Sequence, residues 1–126
     1  MAELPPYHPL SRAQVEVARA LSASRHWQWP DTLALEPRGA VLEVRRGQQL
    51  KGQEVPYLPH PGVAGHLIDM LDTACGSTVR WTVGRGEGPA CWCLLEARGH
   101  RRVFTGTCMG EAVGRAVLAR WRKLGG

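Results

Sequence analysis

Three segments decide the fold: Thr78-Val-Arg-Trp-Thr-Val83, Ala90-Cys-Trp-Cys-Leu-Leu-Glu-Ala97 and Arg102-Val-Phe-Thr105. In the first, Val79, Trp81 and Val83 alternate with Thr78, Arg80 and Thr82, the period-two pattern of a half-buried strand. The second is an apolar run of strand length, and the third a short β-prone run. Gly84-Arg-Gly-Glu-Gly-Pro89 and the tight turn Arg98 to Arg101 separate them, so the three read as an antiparallel meander. Thr107 is a fitting N-cap for a helix running to about Lys123, on which Met109, Val113, Val117 and Trp121 recur at i,i+4. Ala112 and Ala116 beside that stripe permit close packing on a sheet. Arg120, Arg122 and Lys123 fall in its last turn, where cations meet the negative end of the helix dipole. Upstream, Val63 to Cys75 places Val63, Leu67, Met70, Leu71 and Ala74 on one helix face, with Gly76 as the residue that ends it.

The amino-terminal half is less regular. Pro5, Pro6 and Pro9 hold residues 1–10 extended. Ser11-Arg-Ala-Gln14 is a capping box, and the helix it opens should run to about Ala23 with Val15, Ala18 and Leu21 inside. His26-Trp-Gln-Trp29 alternates as a short extended segment. Leu33 to Glu36, the turn Pro37-Arg-Gly39 and Ala40 to Arg45 read as a hairpin. Arg46 to Glu54 reads as a polar loop, and Pro56-Tyr-Leu-Pro-His-Pro-Gly62 as a lead-in too rich in proline for a strand. The expected fold class is therefore α+β. Its order is α-β-β-(β)-α-β-β-β-α, with helices packed on a mostly antiparallel sheet in one domain, residues 11–124.

A chain of 126 residues with 44% hydrophobic and 21% charged residues is ordinary globular material, neither disordered nor fibrous. No apolar run reaches the ~18 residues of a membrane span, and Met1 to Pro9 lacks the basic start and apolar stretch of a signal peptide. The expected location is the cytoplasm. The net charge is +5, and it is uneven: from Thr78 onward there are nine Lys or Arg against three Asp or Glu. A basic carboxy-terminal half suits an anionic partner, but a solvated arginine-rich surface is the simpler account of a charge of this size.

No catalytic signature stands out, and a non-enzymatic protein without cofactor or metal is expected. Cys91 and Cys93 sit on one face of a strand about 6.6 Å apart, a poor disulfide geometry. With Cys75 and Cys108 they lack the C-x₂₋₄-C spacing of structural zinc and read as buried reduced thiols. His8, His26, His60, His66 and His100 show no chelating spacing. Gly84-Arg-Gly-Glu-Gly88 leads through Pro89 into a strand, where a phosphate loop must lead into a helix. Asp69 and Asp72 share a solvated helix face. Trp81, Trp92 and Trp121 occupy core-compatible positions. Trp27 and Trp29 are candidates either for a core seam or for a protein-binding surface, in which Trp and Arg are the usual anchors.

The order of elements, with Trp27-Gln-Trp29, the segment Pro56 to Gly62, the Trp-centred strand Arg80-Trp-Thr82 and the stretch Glu111-Ala-Val-Gly-Arg-Ala116, resembles the phage ABA-sandwich domain family over most of the chain. That resemblance implies a phage or prophage origin and a host-facing role. The function expected from it is modulation of a host protein or ribonucleoprotein complex, as in anti-defence (anti-CRISPR) or transcription takeover. A second resemblance, over residues 63–124, is to double-stranded-RNA-binding domains and implies a nucleic-acid-binding module. Those domains open the last helix with a lysine cluster that grips phosphates. Here that place reads Met109-Gly110-Glu111. The candidate partner-binding residues are Arg98, His100, Arg101 and Arg102 in the turn between the last two strands, Arg85 in the neighbouring hairpin, and Trp27 and Trp29. A turn cannot bury so many cations without partners, so at least two of the turn's basic side chains should be exposed.

Overall fold

In the computed structural model the three segments that decide the fold form a three-stranded antiparallel meander, paired in sequence order. The structure describes residues 11–28, 41–44, 53–59, 61–86 and 90–125. Its elements are α1 (Arg12–Ala23), β1 (Val41–Val44), β2 (Gln53–Pro56), α2 (Pro61–Cys75), β3 (Arg80–Arg85), β4 (Cys91–Ala97), β5 (His100–Gly106) and α3 (Met109–Lys123). The class is α+β. Residues 61–123 have the order α-β-β-β-α.

Pairing of Trp81 with Leu95, Val83 with Cys93 and Cys93 with Phe104 puts these side chains on one face of the sheet. Against that face lies α3, which also packs on α1 and α2 and so forms the hub of the molecule. Its expected stripe is inside: Val113 and Val117 are fully buried and Trp121 is 5% exposed. Leu67 and Leu71 of α2 and Ala18 and Leu21 of α1 complete the core. The opposite sheet face is open, with Thr82 and Thr105 exposed and Val103 at 58% exposure.

The Ser11–Gln14 capping box is present with both of its bonds, 3.1 Å from the Gln14 amide and 2.9 Å from the Ser11 amide. Pro61 begins α2 at the position where its missing N–H and fixed φ are harmless. β4 turns into β5 through Arg98 and Gly99 alone, at φ +47° and +82°. This is the two-residue mirror-image turn that suits strand twist, and it places an arginine in the left-handed region.

Several expectations need correction. Val41–Val44 pairs antiparallel with Gln53–Pro56, so part of the expected polar loop and the first proline of the lead-in form a strand. Pro56 is tolerated because it is the strand's last residue. The other arm of the expected hairpin, Leu33 to Gly39, lies outside the described residues. The N-cap of α3 is Cys108, one residue later than Thr107, because Thr107 spends its hydroxyl and its amide on Glu111. Finally, Trp92 occupies the open sheet face, half-buried across Gly84, because Cys91 and Cys93 take the inward positions of β4.

Candidate functional site

The β4–β5 turn brings basic side chains to one end of the sheet. Arg98, His100, Arg101 and Arg102 are all exposed there, as the charge argument required. Tertiary packing adds cations from elsewhere. The last turn of α3 delivers Arg120 and Lys123, and β3 begins at this end with Arg80. Two adjoining clefts result, of about 350 and 420 Å³, sharing Val79, Glu96, Ala97, His100 and Arg101. Among the described residues, six Arg or Lys side chains line the pair, against a single carboxylate, Glu96.

Several of these groups are held in place. The Arg102 guanidinium carbon lies 4.7 Å from the centre of the Phe104 ring, a cation–π contact that holds the cation over the ring. Arg120 donates from Nε (3.4 Å) and Nη2 (3.2 Å) to the Ala74 carbonyl and so caps the end of α2. Arg101 Nε is 3.3 Å from Glu96 Oε2, with the arginine side chain 69% exposed; such a solvated pair leaves most of the cation's field available. The first cleft has an apolar floor of Val79, Leu95, Phe104 and Ala119 beneath the charged rim.

The other candidates do not join this end. Arg85 ends β3 opposite Cys91, at the far end of the sheet and roughly 20 Å along the strands. Trp27 packs against the core and meets the His66 ring edge-on at 5.6 Å, and it lines neither cleft. Beside it, His66 Nε2 lies 2.6 Å from the Gln28 carbonyl, and His26 stacks on Trp121 at 5.5 Å. Trp29 lies outside the described residues. Trp81, expected in the core, is half-buried and donates from Nε1 to Asp72 at 2.8 Å, so that this aspartate has a structural task.

A second polar constellation joins α1 to α3. Gln14 Nε2 donates to Thr107 Oγ1 at 2.7 Å, and that hydroxyl donates to Glu111 Oε1 at 2.8 Å. The Thr107 amide donates to the same oxygen at 2.9 Å, and Arg115 bonds Oε2 at 2.7 Å. Glu111 is 2% exposed, so all its partners are internal. With Gly110 pressed on the Leu58 backbone, the amino-terminal end of α3 is closed to a phosphate.

The cysteines are thiols without a disulfide among them, three buried and Cys108 half-buried. Burial raises Cys75 and Cys108 above the ordinary thiol value and pushes Cys93 up to about 12. Groups so desolvated keep their protons and are poor nucleophiles. Among the described residues, no three His, Cys, Asp or Glu converge as a metal site, and no helix is long and apolar enough to cross a membrane. Compared with protein-family models, with curated proteins and with solved structures, the chain matches none.

Proposed function

We propose that the protein is a non-enzymatic binding protein that modulates a host macromolecular complex, gripping it with the cationic end of the sheet. One observation carries this reading: six cations from two strands, a turn and a helix meet around two clefts whose described lining residues include one carboxylate. Like charges gathered at one end raise the local potential and steer an anionic partner toward it. The protonated, desolvated thiols favour a binding role over thiol chemistry. The host-facing part of the proposal rests on the resemblance to phage ABA-sandwich proteins.

A nucleic-acid-binding reading is favoured by the α-β-β-β-α order of residues 61–123. It is disfavoured by the closed start of α3, where Glu111 is buried and bonded in place of the phosphate-gripping lysines. Affinity capture from host lysate, with and without nuclease, distinguishes the two. Capture that survives nuclease and is lost in the double variant Arg98→Glu/Lys123→Glu is the expected result. Capture abolished by nuclease, with a steep fall as salt rises, would transfer the protein to the nucleic-acid class. Undiminished capture by the double variant would show that this end is not the contact surface.

A further inference from the structure

We infer that the apolar-floored cleft takes one large apolar side chain from an acidic segment of a partner protein, whose flanking carboxylates pair with the rim. The inference deepens the binding reading and rests on it. A merely electrostatic surface needs no floor, yet this one has Leu95 and Phe104, each 8% exposed, beside Arg102 and Lys123. At about 350 Å³ the cleft sits at the lower end of the range for ligand sites, roughly 300–1,000 Å³, which suits a side chain rather than a cofactor. An apolar anchor in a pocket ringed by polar groups is the usual arrangement of a protein–protein hot spot.

Charge complementarity selects the class of partner. Arg102 is held over the Phe104 ring and has no carboxylate partner among the described residues, so its fork of donors is available to a carboxylate with two parallel bonds. Lys123, exposed at the end of α3, supplies a point charge to a second carboxylate. Nucleic acid fits this cleft less well. Single strands need a succession of aromatic faces on which bases stack, and the floor offers a single aromatic ring. Glu96 stands in the wall of both clefts, where a continuous phosphate track would meet it.

The test uses the full chain and fluorescence anisotropy with labelled nine-residue peptides. One carries a central Phe flanked on each side by four Asp or Glu; its control replaces Phe by Ala; a single-stranded oligoribonucleotide of equal charge completes the set. The Phe peptide should bind about tenfold or more tighter than the Ala control, as expected for burying a large apolar side chain. Ala119→Leu, which fills the floor without changing charge, should remove that advantage, and Arg101→Glu/Lys123→Glu should weaken both peptides. Equal binding of the two peptides, both lost on charge reversal, would overturn the apolar anchor while supporting the cationic end as a contact surface. Tighter binding of the oligoribonucleotide than of either peptide would overturn the inference in favour of nucleic acid. Failure of every probe to bind would overturn the anchor and the proposed contact surface together. The comparison of Phe and Ala peptides requires no variant, so it decides the matter even if Ala119→Leu does not fold.

Discussion

Two glycines in helices make a test in which the sign of the effect is at stake. Replacing Gly by Ala inside a helix ordinarily stabilises by about 1 kcal/mol, because Ala loses less backbone entropy on folding. Gly65 in α2 is exposed and has nothing within 4 Å of an added Cβ, so Gly65→Ala should stabilise by about 0.5–1 kcal/mol. Gly110 in α3 is the opposite case. An added Cβ there would overlap the Leu58 carbonyl oxygen and lie 2.9 Å from its carbon and 3.1 Å from its Cα. These are backbone atoms and cannot rotate aside. The Tyr57–Leu58 segment must back away, and Leu58, now fully buried, loses part of a burial worth about 1.5–3 kcal/mol. Set against the propensity gain, Gly110→Ala should destabilise by about 1–2 kcal/mol. Urea denaturation followed by tryptophan fluorescence measures both variants against the parent. A Gly110→Ala protein as stable as Gly65→Ala would refute the close docking of this segment on α3.

The buried carboxylate and the thiols give two further predictions. Glu111→Leu strips the internal acceptor from Arg115 and Thr107 and should cost about 2–3 kcal/mol, whereas Glu111→Gln, which keeps an acceptor, should cost less than half of that; equal losses in a urea titration would contradict the network. Cys93 holds its proton to about 12 when folded and to about 9 when unfolded, so its contribution to stability is intact below pH 9 and is lost as pH rises toward 12, at about 1.4 kcal/mol per pH unit. Unfolding free energies at pH 8, 9 and 10 should therefore fall above pH 9, and a profile flat across that range would place the thiol in water.

What the sequence made legible follows from the range of the interactions involved. The helix stripes of Leu67 and Leu71 and of Val113, Val117 and Trp121, the capping box at Ser11, and the alternation in Val79 to Val83 are local patterns. The α-β-β-β-α half is built almost wholly from them. β2 escaped because Gln53-Glu-Val-Pro56 carries no strand period of its own and is a strand through its partner Val41–Val44. The orientation of β4 was open for another reason. Cys91-Trp-Cys-Leu-Leu95 is apolar on both faces, so parity could not show that Trp92 points outward. At the candidate site, the turn arginines were visible as a cluster in sequence. Arg120 and Lys123 read only as cations at a helix end, since their meeting with the turn depends on how α3 crosses the sheet. Arg85 was misplaced by the same gap: adjacency of hairpins along the chain does not give adjacency in space when the strands run antiparallel.

The central position of α3 has a consequence for synthesis. Among the described residues, both sheets and the other two helices precede it in the chain, and the meander, α1 and α2 all bury their apolar faces on it. Cys91, Cys93, Leu95 and Phe104 are therefore synthesised before the helix that covers them. The meander cannot bury its inner face on its own and reaches its final state only once α3 covers it.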